Sequence, residues 1–257
     1  MADTATPETI IAPPPPPAAS PPSDAFIVLP VRQMVMFPEI VAPLAIGRPA
    51  SIAAAQQAVR EQRQIVVLLQ RDPSEADPSP DQMHAVGVVA NILRYVTGEG
   101  EHHVICQGVQ RFRITETIPG WPYMVARGLH LPEPTDAGPE VEARLINLRG
   151  QALEVLSLVP QAPQELRRTV ESLASAGALA DLAAAYMDTT AAEKQDVLET
   201  IPLIPRLDKV GAHLAHRLQV LRLSRDIGAQ TEASLSKRQR EMLLRADGLD
   251  PEGTGRR

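Results

Sequence analysis

The sequence predicts an α+β chain: a β-rich domain with one embedded helix, then an all-α domain ending in a long helix. Three observations predict it. Residues 26–130 carry seven short runs rich in β-branched residues, separated by turn-forming segments. One stretch among them, residues 49–63, changes to helical spacing. After PEPTDAGPE (132–140) the strand pattern stops, and apolar residues recur every three or four positions.

The strands are FIVLPV (26–31), IVAPLAI (40–46), IVVLLQ (65–70), VGVVANILRYV (86–96), HHVICQGV (102–109), RFRITETI (111–118) and YMVARGLH (123–130). In the embedded helix Ile52, Ala55, Gln56 and Val59 share a face, and Pro49 suits a first helical position. Thr97-Gly98-Glu99-Gly100 sits between two alternating runs and reads as a hairpin turn. DPSEADPSPDQ (72–82) is a loop by its Pro, Asp and Ser content. Strands at this spacing suggest a compact, partly closed barrel or paired sheets.

In the second half Val141, Leu145, Leu148, Ala152, Val155 and Val159 mark an amphipathic helix over 139–158. Pro160 and Pro163 end it, and a new helix starts near 164. A turn at Ser175-Ala176-Gly177 precedes a short helix, LADLAAAYM. Thr190 with Glu193 is a capping-box pair opening a helix through Ile201. Pro202 and Pro205 punctuate before a run over 206–245, in which Leu207, Val210, Leu214, Leu218 and Leu221 keep helical spacing. Beyond Arg225 the apolar positions thin to Ile227, Leu235 and Met242, so the end of this helix should overhang its bundle and meet a partner helix or further domain. The domains are then 26–135 and 136–245, between a proline-rich disordered tail (1–25) and a second tail (246–257).

The 257 residues hold 25 Lys+Arg against 31 Asp+Glu, a balance that argues against generic nucleic-acid binding. The charge is uneven, since 206–245 alone holds 9 basic against 4 acidic residues, most simply a solvated helix face. No apolar run approaches the roughly 18 residues of a membrane span, and the N-terminus lacks a signal-peptide pattern. With one cysteine, Cys106, these features fit a reducing, cytoplasmic setting.

Catalytic motifs are absent. No glycine precedes a lysine, so there is no phosphate loop, and there is no H-E-x-x-H, C-x-x-C or G-x-S-x-G. Glu101-His102-His103 does not make a metal site, because adjacent strand residues point to opposite faces. Cys106 reads as a buried inert thiol, and His213 and His216 as a surface pair. No catalytic residue, cofactor or metal is expected. Two apolar features remain as candidate polypeptide contacts, with core packing as the alternative for each residue. They are Met34, Met36 and Phe37 between the first two strands, and Tyr95, Trp121 and Tyr123.

These residues resemble the N-terminal, substrate-recognising domain of the Lon ATP-dependent protease family. The likeness is carried in order by LPVRQMVMFPEIVAPLAIGRPASIAAAQQAV (29–59), VGVVANILRYVTGEGEHHVICQGVQRFRITE (86–116), LADLAAAYMDTTAAEKQDVLETIP (179–202) and KRQREMLLR (237–245). It implies a pseudo-barrel (PUA-like) β domain, a helical bundle and a long helix that in the family continues toward an ATPase motor. The implied role is protein quality control: binding unfolded or degron-bearing polypeptides for ATP-dependent proteolysis. After Arg245 the sequence departs from the family, since ADGLDPEGTGRR breaks a helix and no ATPase or Ser–Lys protease segment follows. Three readings stay open: a free-standing recognition module, a truncated or frameshifted protease subunit, and a regulatory partner of full-length Lon. The first and the last would use the long helix, 206–245, for assembly with itself or with Lon.

Overall fold

A computed structural model describes residues 20–97, 102–135 and 137–246. The tail assignments at 1–19 and 247–257, and Gly98 to Gly100 of the hairpin turn, lie outside the described residues. Contacts divide the chain into two compact units, 1–132 and 133–257.

The first unit holds strands β1 (Phe26–Val31), β2 (Val41–Ile46), β3 (Ile65–Leu69), β4 (Val86–Thr97), β5 (His102–Ile118) and β6 (Val125–Leu131), with helix α1 (Pro49–Glu61) between β2 and β3. Their order is β2-β5-β4-β3-β1-β6, and a further β5–β6 pairing closes the last five into a barrel. β1 and β3 run parallel; the other pairs are antiparallel. The α+β fold with a closed β domain, a helical part and a long last helix is therefore as the sequence predicts.

Two of the expected strands are one. β5 runs unbroken through Gln110, which pairs with Val89. Its first half pairs with β2 and its second with β6. Register shifts at Val89/Ala90, Ile92/Arg94 and Ile114/Glu116 supply the bend that lets one 17-residue strand serve both.

Alternation along the strands makes two apolar faces. Val28, Val66, Leu68, Val89, Phe112 and Ala126 form one cluster, with the Phe26 ring edge-on to Phe112 at 4.9 Å between centroids. Ile27, Leu29, Ile65, Val67, Val88 and Ala90 alternate with them and are equally buried. α1 packs against β1 and β4. It buries Ala54, Ala55 and Ala58, while Gln56 and Val59 are exposed, so its inward face is not the one expected from its larger residues. Small side chains let the helix axis approach the sheet closely. Gly108 serves a similar need: a Cβ there would strike the Phe37 carbonyl, where the 32–40 connection crosses β5. That crossing is fixed by the Glu39 amide donating to Gly108 and the Gly108 amide donating to Ile40, both at 2.9 Å. Pro21 and Ala25, assigned to the tail by composition, are buried, and the Arg63 guanidinium donates to the carbonyls of Pro21, Pro22 and Ala25.

The second unit holds α2 (Pro139–Leu158), α3 (Gln164–Ser172), α4 (Ala176–Tyr186), α5 (Ala191–Glu199) and α6 (Leu203–Ala246). α4 begins directly after Ser175, whose hydroxyl accepts from the Ala178 amide, so the expected turn is instead an N-cap. The Thr190–Glu193 capping box forms in both directions. Pro205 does not delay α6: it lies in the first turn, where no intrahelical N–H is needed. α6 packs on α2 and α4 through Leu207, Val210, Leu214 and Leu218. Every described side chain of α6 from Arg222 onward is exposed. Among the described residues no helix is long and apolar enough to cross a membrane.

Candidate functional site

Loops from one end of the barrel gather around the start of α1. The β5–β6 loop brings Pro119, Trp121, Pro122 and Tyr123, and the β3–β4 loop brings Asp77, Pro78 and Pro80. With Pro30, Arg48, Ala50 and Ser51 they line a hollow of about 450 Å³. A second hollow of about 590 Å³ is lined by Arg32, Gln33 and Met34 after β1, by Pro43 to Ile46 on β2 with Gly47 after it, and again by Pro30, Arg48 and Ser51. The two hollows thus adjoin across Pro30, Arg48 and Ser51.

The prolines have a structural reason to be here. They hold loop backbone in extended form without offering N–H donors, so the rim is both stiff and apolar. Pro43 does the same for β2, which pairs with β5 alone among the described strands; a proline in mid-strand blunts the free edge that borders the second hollow.

Arg48 is the polar centre of this surface. It occupies the N-cap of α1 without a side-chain cap bond, and the first turn carries no acidic residue. Its Nη2 donates to Gln70 Oε1 and to the Glu75 carbonyl at 3.4 Å, while buried Nε has no partner among the described residues. Gln70 Nε2 in turn donates to the carbonyls of Asp72 at 2.5 Å and Glu75 at 3.1 Å, so one buried amide ties the β3–β4 loop to Arg48. Burial pushes the Arg48 pKa below the usual arginine range, and the neighbouring charge of Arg32 adds to that.

The six candidate residues divide. Trp121 lines the first hollow and Met34 the second, both half-buried. Tyr123 also lines the first but is only 7% exposed; burial pushes its pKa up, and its hydroxyl lacks a partner among the described residues. Met36 and Phe37 are corrected as surface contacts: they are 2% and 0% exposed, and Phe37 closes the sheet face over Gly108. Tyr95 lies elsewhere, in a hollow of about 230 Å³ between α1 and β4. Its hydroxyl is 2.7 Å from His102 Nδ1, and the two rings stack. Arg48, Pro78 and Pro119 were missed by the sequence reading, because a lone arginine before a helix and isolated loop prolines carry no motif.

Other chemistry is sparse. Cys106 is fully buried, and burial pushes its thiol up to about 12. His102 and His103 fall on successive, opposite positions of β5, and Glu101 lies outside the described residues. Among the described residues no three His, Cys, Asp or Glu side chains gather as a metal cluster would require.

A closed β domain thus carries two adjoining, proline-rimmed hollows at the start of α1. The chain belongs to the family described as the ATP-dependent protease La (LON) substrate-binding domain, which matches residues 26–216. It is 55% identical over 223 residues to a Lon protease of Methylocella silvestris and 54% identical over 224 residues to one of Phenylobacterium zucineum. In each case 86% of this chain is covered but only 28% of the protease, so the chain spans little more than a quarter of their length. The N-terminal domain of a Mycobacterium avium complex Lon protease shares the fold, with TM-score 0.64 and 24% identity over 74% of this chain and 98% of that one. A Lon N-terminal domain protein from Xanthomonas campestris superposes at TM-score 0.52 with 14% identity, covering 73% of this chain and 97% of its own.

Proposed function

We propose that this chain is a non-catalytic, cytoplasmic module that grips unfolded or degron-bearing polypeptides for ATP-dependent proteolysis. The observation that carries the reading is the pair of adjoining hollows at the start of α1, with Met34 at one end and Trp121 at the other. An extended chain presents side chains to one face on alternate positions, and two adjoining hollows of mixed apolar and polar lining can take them in turn. Membership of the substrate-binding family and the absence of phosphate-loop or nucleophile motifs from the sequence support it.

Fluorescence anisotropy of a labelled, permanently unfolded protein tests it. Saturable micromolar binding is expected, weakened about tenfold by Trp121→Ala or Met34→Ser, as truncating a central contact does. Absence of binding, or binding untouched by both changes, contradicts it. The same preparation should hydrolyse neither ATP nor casein.

A second reading is favoured by one observation. Leu223, Ile227, Leu235 and Met242 are exposed along the outer half of α6, which buries nothing among the described residues. Such a stripe suits docking to a Lon-type protease and thereby altering its substrate choice. Co-elution with such a protease, abolished by truncation near residue 225, supports this role; co-elution that survives truncation rejects it.

A further inference from the structure

We infer that the hollows around the start of α1 prefer a segment in which an internal acidic side chain is flanked on both sides by apolar ones. This rests on the polypeptide-binding reading above and adds which segments are selected.

Arg48 lies where the two hollows adjoin, and Arg32 lines the second beside Met34. Neither is in an ion pair among the described residues. The acceptors of Arg48 are the neutral Gln70 amide and the Glu75 carbonyl, and its Nε has none. Asp77 and Glu75 act on Arg48 from the β3–β4 loop, and Arg32 acts on it with the opposite sign. Arg32 is exposed and Arg48 half-buried, so a carboxylate can approach from solvent. With no direct ion pair, the two guanidiniums can take a guest carboxylate, in a partly dehydrated setting where a charge-assisted hydrogen bond is worth more than in water.

The position of that centre selects the guest. Met34, Pro43 and Leu44 line one hollow and Pro78, Pro119 and Trp121 the other, with Arg48 common to both. A chain that ended at Arg48 with its terminal carboxylate would fill one hollow and leave the other open. A chain that passes through with Glu or Asp at the centre fills both. Basic segments meet two arginines and are rejected.

Short peptides of one apolar sequence with Glu, Gln or Lys at the centre test this, with a fourth that terminates at the Glu. The Glu peptide should bind about tenfold tighter than the Gln peptide, with the Lys peptide weakest, a spread typical of one charge-assisted contact at a partly exposed site. Arg48→Gln should erase the Glu-over-Gln preference. Because Arg48 also anchors the β3–β4 loop, Arg32→Gln is the second variant: exposed and outside that network, it should narrow the Glu-over-Gln preference without loosening the loop. Equal affinity for Glu and Gln peptides overturns the inference while leaving polypeptide binding intact. Tighter binding of the terminated peptide overturns it in favour of C-terminal capture. If no peptide and no unfolded protein binds, the underlying reading falls as well.

Discussion

Arg206, with no exposed surface, directs its guanidinium at the carboxylate of Glu133, Nη1 donating to Oε2 at 3.1 Å and Nη2 to Oε1. Asp181, also buried, stands 3.5 Å from Nη1. One cation near the start of α6 thus pins α4 and the segment before α2. In the sequence Arg206 opens the basic stretch 206–245, and by count it belonged to a solvated face; burial beside two acids removes it from that tally. Removing the buried cation takes one partner from each acid, so Arg206→Ala should lower stability by about 3 kcal/mol, the low end for a buried pair because the Glu133 side chain is 41% exposed, while Arg206→Met should cost less. Urea unfolding monitored by circular dichroism reads the difference.

Gly177 offers an independent check on the same contact. A Cβ there would occupy the space of the Glu133 carboxylate. Gly177→Ala should therefore destabilise by pushing Glu133 from Arg206, and should cost almost nothing further in a Glu133→Ala background. A double-mutant cycle measures that coupling.

At Gly108 the obstacle is backbone, not the end of a flexible side chain, since the Phe37 carbonyl cannot swing aside. Gly108→Ala should cost about 1–3 kcal/mol or more, as overpacking of a fixed site does, and should loosen the 32–40 connection that carries Met34. Differential hydrogen exchange at the Glu39 amide, which donates to Gly108, should rise in the variant.

Cys106 should be silent in the native state. Its thiol is raised from an ordinary 9.0 to about 12 by burial, so the neutral form is favoured by folding. That contribution is complete below about pH 9 and is lost as pH climbs toward 12. Iodoacetamide at pH 8 should leave the folded chain unlabelled and modify it once urea unfolds it.

How legible all this was in the sequence depended on what each element uses for its signal. Strand edges, the α2 range and the Thr190–Glu193 cap were readable because alternation, helical spacing and capping chemistry are local. β5 was read as two strands because its break at Gln110 is a polar residue, whereas continuity is set by pairing with Val89 on another strand. The α1 face was misjudged because size suggested Ile52 and Val59, while close approach to the sheet selects alanine. Met36 and Phe37 differ from Met34 only in which side of a folded connection they meet, and composition holds no record of that. Arg48 gains its role from Gln70 and Arg32, both distant in sequence.

The most direct measurement uses Trp121, the only tryptophan in the chain. Titration with a tryptophan-free unfolded polypeptide should shift its emission, saturating at the midpoint that anisotropy of the labelled ligand gives. Binding by anisotropy with unaltered Trp121 emission would place the polypeptide elsewhere on the chain and contradict the assignment of the α1 hollows.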